Sequence, residues 1–218
     1  MKLSERTMQI LRNYSLINPS LQFQEGDVLR TISPNKTVMA KAKLDGSIPS
    51  TFSIYELSRF LGVISLFEDP QFELDESKVD ITSKGRKVSY TFADPSTIVT
   101  PPNRDLSVDD ADVEFVLQQE DFAQVMKAMS VMSLPHFTVV GENGKIILRG
   151  TDTKNPSSDK YDIEVAETDL NFNAVFKIEN MKILPSTYNV KISKKGIAQY
   201  SSDDVDYWIS IESTSTFE

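Results

Sequence analysis

Asp94-Pro-Ser-Thr-Ile-Val-Thr-Pro-Pro-Asn-Arg-Asp-Leu-Ser-Val-Asp-Asp110 divides this sequence in two. The stretch holds three of the ten prolines, including the pair Pro101-Pro102. Proline lacks a backbone donor and turns the residue before it towards extended geometry, which argues against a core element. Four aspartates keep the segment in water. We therefore read 94–110 as a linker between domains at 1–93 and 111–218. Each flank reads as two copies of one pattern, a helix followed by three short strands.

Upstream of the linker, Leu3, Thr7, Ile10, Leu11 and Tyr14 recur at helical spacing behind Ser4, a residue suited to an N-cap. Lys2, Glu5, Arg6, Gln9, Arg12 and Asn13 fall on the opposite face, and Asn18-Pro19-Ser20 ends the helix. Strands are expected near 21–24, 28–32 and 37–43, and Leu44 to Pro49 closes the unit. The second copy begins with a strand near 51–53. Ser53-Ile-Tyr-Glu56 then has the spacing of a capping box. Leu57, Phe60, Leu61 and Ile64 form the buried stripe of its helix, and Ser58, Arg59, Gly62 and Ser65 face away. A glycine within a helix costs about 1 kcal/mol relative to alanine, so Gly62 marks a close approach or is merely tolerated. Strands follow near 72–74, 78–83 and 87–92.

Downstream, a strand at 113–117 leads into a helix with Phe122, Val125, Met126 and Met129 on one face and Gln124, Lys127 and Ala128 on the other. Strands are expected near 137–140, 145–150 and 161–167, with Asn143-Gly144 as a two-residue hairpin turn. The fourth copy has a strand at 172–177, a short helix at 179–183 stopped by Pro185, and strands near 188–193, 197–201 and 207–212. Repeated βαβββ units with helices on one sheet face make an α+β chain.

Charge is unevenly distributed. Residues 1–93 carry 12 Lys/Arg against 11 Asp/Glu, whereas the remainder carries 11 against 21, for a total of -9. An acidic protein does not grip nucleic acid by bulk attraction, because phosphate affinity comes largely from counterions released by Lys and Arg. Without cysteine there are no disulfides, thiolate metal sites or cysteine nucleophiles. The opening residues lack the apolar run of a signal peptide, and 60–67 is too short to span a bilayer, so an intracellular, soluble chain is expected.

The candidate chemistry is sparse. Gly141-Glu-Asn-Gly144-Lys145 lacks phosphate-loop spacing and the helix that should follow it. His136 is the sole histidine and builds neither a triad nor a metal cluster. The runs Asp109-Asp110-Asp112 and Asp203-Asp204-Asp206 lack the glycine and distal glutamate of a calcium loop and read as solvated acids. No cofactor, metal or catalytic machinery is expected. What remains is a diffuse set of helix-face cations: Lys2, Arg6, Arg12, Arg59, Lys127 and Lys182. They have no interleaved aromatic platform for single strands and no dense basic turn for the major groove.

Met1-Lys-Leu-Ser4, Phe60-Leu-Gly-Val-Ile-Ser-Leu66, Ala93-Asp-Pro-Ser-Thr-Ile-Val99, Asn180-Met-Lys182 with Pro185 and Tyr188, and Glu212-Ser-Thr214 occur in an order that resembles the sliding clamps of T-even bacteriophages. Those proteins are processivity factors of a replicative DNA polymerase, similar to proliferating cell nuclear antigen. The resemblance spans nearly the whole chain. It implies a DNA-clamp fold with two similar domains per chain, assembled as a homotrimer around double-stranded DNA with helices lining the hole. A closed ring holds DNA by topology and needs only weak phosphate contacts, which accommodates an acidic protein. Lys2, Arg6, Arg12 and Arg59 would be the main lumen contacts, with Lys127 and Lys182 secondary. The third helix carries fewer cations than the resemblance implies.

By the same resemblance the ring closes by strand addition. Lys87, Val88, Ser89, Tyr90, Thr91 and Phe92 of one subunit would pair with Tyr161, Asp162, Ile163, Glu164, Val165 and Ala166 of the next. Ile98 and Val99, read as exposed, would belong to a pocket for hydrophobic partner peptides, or else pin the linker to a sheet. The implied partners are the replicative polymerase, an ATP-dependent clamp loader and late-transcription factors, in the cytoplasm of the infected bacterial host and away from any membrane. The alternatives are a monomeric β-rich interaction adaptor and a carboxylate metal-dependent hydrolase.

Overall fold

Ser4 opens the first helix as its sequence position suggests, its Oγ accepting the Thr7 N–H at 3.0 Å. The computed structural model describes residues 3–103 and 106–218, so Lys2 lies outside the described residues. The chain divides into two units, Met1–Asn103 and Arg104–Glu218.

In the first unit the order is α1 (Glu5–Ile17), β1 (Leu21–Phe23), β2 (Gly26–Ile32), β3 (Val38–Ile48), β4 (Phe52–Ile54), α2 (Leu57–Ile64), β5 (Gln71–Leu74), β6 (Lys78–Ser83) and β7 (Arg86–Thr91). Ile10, Leu11, Tyr14 and Ile17 bury the inner face of α1 against β2, β3 and α2. Asn13, expected on the outer face, is buried as well. Asp45 accepts from Ser4 and Thr7 at 2.8 and 3.1 Å, tying β3 to the start of α1. This anchoring is one reason β3 continues through 44–48, where a closing turn was expected.

The capping box at Ser53 does not form. Ser53 is buried in β4, and α2 starts at Leu57 behind Glu56, which makes no side-chain cap bond. Pairing of β4 with β1 claims the serine for a strand before the helix can use it. Gly62 is exposed on α2, and an added Cβ would meet nothing within 4 Å, so the helix simply tolerates it. Strands β5, β6 and β7 form a three-stranded sheet with β7 on one edge.

The second unit runs β8 (Val113–Leu117), α3 (Gln119–Met132), β9 (His136–Glu142), β10 (Lys145–Thr151), β11 (Tyr161–Glu167), β12 (Phe172–Lys177), β13 (Tyr188–Ser193), β14 (Ile197–Ser201), β15 (Val205–Ser210) and β16 (Thr216–Phe217). One sheet has the order β11-β10-β9-β12-β16, and β8-β13-β14-β15 are paired in a second. Phe122, Val125 and Met129 of α3 are buried as the helix crosses β10 and β11. The expected hairpin is present: Asn143 and Gly144 have φ of 53° and 80°, the left-handed pair this turn requires.

The fourth expected helix is absent. Only a 3-10 turn at Ile178–Asn180 forms. A helix of a few residues gains too few bonds to offset its nucleation cost. Here the backbone of Leu184 is claimed instead by tyrosines, its N–H donating to Tyr207 Oη at 3.2 Å and its C=O accepting from Tyr188 Oη at 2.5 Å. Among the described residues, no helix is long and apolar enough to cross a membrane.

Candidate assembly edges and nucleic-acid interface

Strand β7 is held on one side only. Val88 and Tyr90 stand opposite Ile81 and Val79 of β6, which are 0% and 1% exposed. Tyr90 also meets the Phe60 ring of α2 edge-on at 5.0 Å, and burial pushes its hydroxyl pKa up. Phe92 continues this face just beyond the strand, stacked on Phe52 at 4.8 Å. The opposite face is polar. Lys87 Nζ lies 2.7 Å from Asp80, and Ser89 Oγ donates to the same carboxylate at 2.5 Å. The Lys87 bond, then that of Ser89, holds the Asp80 carboxyl below its ordinary pKa. Phe92 N–H donates to Ser77 O at 2.9 Å. Strand alternation therefore turns the peptide groups of Lys87, Ser89 and Thr91 towards the open side.

Strand β11 is the edge of the other sheet. Tyr161 and Ile163 stand opposite Gly150 and Leu148 on the face covered by α3. Gln124 of α3 donates to Tyr161 Oη at 2.8 Å. On the outer face, Arg149 holds Asp162 through two bonds of 2.7 and 2.8 Å and reaches Glu142 at 2.6 Å. The Asp162 bonds raise the pKa of the guanidinium further. Glu164 is exposed on the same face. The ladder shifts register between Ile146 and Ile147, leaving Val165 as the extra residue of a bulge beside Ala166. A bulge at a sheet edge limits the length that can be paired from outside.

The helix cations are solvent-facing but not bare. Arg59 lies 3.2 Å from Glu56 and Arg12 3.9 Å from Glu5, while Arg6 donates to Gln9 at 3.2 Å. Exposed pairs of this kind contribute about 0.2–1 kcal/mol, little enough for a phosphate to compete with them. Lys127 is exposed on α3. Lys182 is half-buried and lies outside any helix, since the segment that should carry it ends as a 3-10 turn. The expected helix-face placement therefore fails for Lys182.

In the linker, Ile98 was expected to be exposed and is buried, whereas Val99 is 42% exposed. Ile98 follows the 3-10 turn Pro95–Thr97 in extended geometry, so the two neighbouring side chains leave on opposite sides. Asn18 fastens the segment, its Nδ2 donating to Val99 O at 3.2 Å and to Ile32 O at 2.8 Å.

His136 is buried, with Nδ1 accepting the Thr153 N–H at 3.2 Å. Asp110 pairs with Lys195 at 2.7 Å, and Asp112 accepts the Lys194 N–H at 2.8 Å. Among the described residues, no group of three His, Cys, Asp or Glu converges as a metal site. Sequence reading missed Arg149 as the organiser of the β11 face and Arg86 as an exposed cation opening β7. For Arg86 the signal was its place beside the hairpin turn at Lys84-Gly85; for Arg149 the strand pairing had to be known first.

Comparison with known proteins bears on the family and the fold. Residues 2–100 match the family described as DNA polymerase processivity factor, and residues 114–213 the family described as gp45 sliding clamp, C terminal. The sliding clamp of Escherichia phage RB69 is 29% identical over 228 residues, covering 100% of both chains. That of Vibrio phage KVP40 is 29% identical over 219 residues, covering 97% of this chain and 99% of the relative. Among solved structures, A. fulgidus PCNA aligns with TM-score 0.67 at 12% identity over 94% of each chain. The Helicobacter pylori beta clamp bound to a DNA ligase peptide aligns with TM-score 0.71 at 12% identity, over 97% of this chain and 65% of that one. Those structural likenesses concern the fold alone; the two family matches and the full-length phage relatives identify this chain as a member of the sliding-clamp family of DNA polymerase processivity factors.

Proposed function

We propose that three copies of this chain close head to tail into a ring around duplex DNA and tether a phage replicative polymerase to it. The single observation that carries this reading is that β7 in the first unit and β11 in the second both lie at sheet edges, as do β5 and β16 at the far ends of the same sheets. An open strand edge is a template for pairing with another chain. One such edge in each unit allows every copy to offer both halves of a heterologous joint, and a joint of that kind yields a closed ring when its rotation closes.

Arg6, Arg12 and Arg59, with Lys127 and the undescribed Lys2, would touch phosphate from the hole; Lys182 is the weakest member of that set. Val99 is the exposed linker position at which a hydrophobic partner peptide would dock, with Ile98 as its buried anchor. An ATP-dependent loader would open the ring, and late-transcription factors would be further partners, all in the cytoplasm of the infected bacterial host. The ring performs no chemistry in this reading.

Native mass by light scattering across a dilution series tests it. A mass near three chains supports the ring, including one that falls partly on dilution. A monomer at every concentration overturns it in favour of an adaptor. Charge reversal at Arg6 and Arg12 together is expected to reduce processive synthesis on circular primed DNA severalfold, with an unchanged unfolding midpoint. Unaltered processivity would remove both residues from the DNA-contact set.

A further inference from the structure

We infer that the joint between copies forms in one antiparallel register, with Lys87 of one copy opposite Glu164 of the next, and that charge selects this register. The inference rests on the ring reading above and deepens it.

Side-chain direction limits the choices first. Val88 and Tyr90 lie on the core face of β7, and Tyr161 and Ile163 on the core face of β11. A joint that continues both sheets must match core face to core face, so registers differ in steps of two residues. Charge then separates them. Setting Lys87 against Asp162 adds a cation to a carboxylate already held twice by Arg149, and it leaves Glu164 abreast of Gly85 in a turn. The opposite shift sets Ser89 against Glu164 and carries Lys87 to Ala166, beyond the bulge.

The middle register has neither fault. It places Lys87 against Glu164, Val88 against Ile163, Ser89 against Asp162 and Tyr90 against Tyr161. Glu164 is exposed and has no hydrogen-bond or ionic partner among the described residues, and Lys87 spends one of its three donors on Asp80. The outer face would then alternate Asp80, Lys87, Glu164 across the joint. Half-buried Tyr90 would gain an aromatic neighbour on the core side.

The protein contains no cysteine, which makes the register directly readable. In a hydrogen-bonded antiparallel pair the Cα atoms are about 5.5 Å apart, within the span of a disulfide, about 4.4–6.8 Å. The doubly substituted chain Lys87→Cys/Glu164→Cys, mildly oxidised, is expected to give covalent dimers and trimers on a denaturing gel. Ser89→Cys/Glu164→Cys, one step out of register, should remain largely uncrosslinked, as should Gln71→Cys/Glu164→Cys, which uses β5 instead of β7. Glu164→Lys should weaken assembly on the order of tenfold, with Trp208 fluorescence unchanged as a check on folding.

Crosslinking of Ser89→Cys/Glu164→Cys, with the wild-type protein trimeric by light scattering, overturns the register and leaves the ring standing. Assembly indifferent to Glu164→Lys overturns the role of charge. A wild-type chain that stays monomeric overturns both the ring and this joint.

Discussion

The aromatic side chains of the two units are arranged in opposite ways. In the second unit Phe137, Phe176, Tyr200, Tyr188 and Tyr207 form a chain of ring contacts, and each is 0% exposed. In the first unit Phe23, Phe52 and Phe60 lead outward to Tyr90 and Phe92, which stop half-buried at an edge strand. The chain of rings in the second unit is closed by its own unit, apart from the Phe172–Phe217 stack, where Phe217 ends half-buried at the β16 edge. The first unit leaves half-buried apolar surface whose burial, at about 25 cal/mol per Å2, a neighbouring copy would complete in the proposed ring. Apolar area at an edge and an unfilled hydrogen-bonding row thus coincide at β7, which is what the proposed joint requires.

Substitution can break this contrast. Phe176→Ala removes a fully enclosed ring and is expected to cost about 3–5 kcal/mol in urea unfolding followed by Trp208 fluorescence. Tyr90→Ala should cost the isolated chain much less, about 1 kcal/mol, while weakening assembly by light scattering. Equal losses of folding stability from the two would mean that the first core is as closed as the second.

Smaller effects sharpen the comparison. Gly62→Ala is expected to raise the stability of the first unit by about 1 kcal/mol, because the position is open and helical. The Asp80 carboxyl is held below its ordinary value of 3.8, chiefly by Lys87. A depressed carboxylate stabilises the fold above that value and loses its contribution as pH falls through the folded pKa. Asp80→Asn should therefore lower Tm slightly at neutral pH, with the difference from the wild type closing as pH falls below about 4.

Strand alternation and turn chemistry made most of the elements legible. The hairpin at Asn143-Gly144 and the strands at 113–117, 161–167 and 172–177 depend on neighbours in sequence, and the structure has them where they were expected. Errors arose where distant residues decide. Ser53 is a strand residue because β1 pairs with β4. The piece around Lys182 is not helical because Tyr188 and Tyr207 capture Leu184. Asn13 is buried although hydrophobic spacing assigns it outward. For the candidate site, the strands were legible, whereas the edge position of each required the sheet order. Arg149 reaching both Asp162 and Glu142 is a contact between three strands, which no spacing rule encodes.

The bulge beside Val165 bears on time as well as geometry. In the joint we propose, it stops the ladder after four residue pairs, so each closure is brief to make and brief to undo. A ring threaded on circular DNA cannot leave by sliding. Its residence there equals the waiting time for one of three such joints to part, and a single residue inserted in one strand would set that clock.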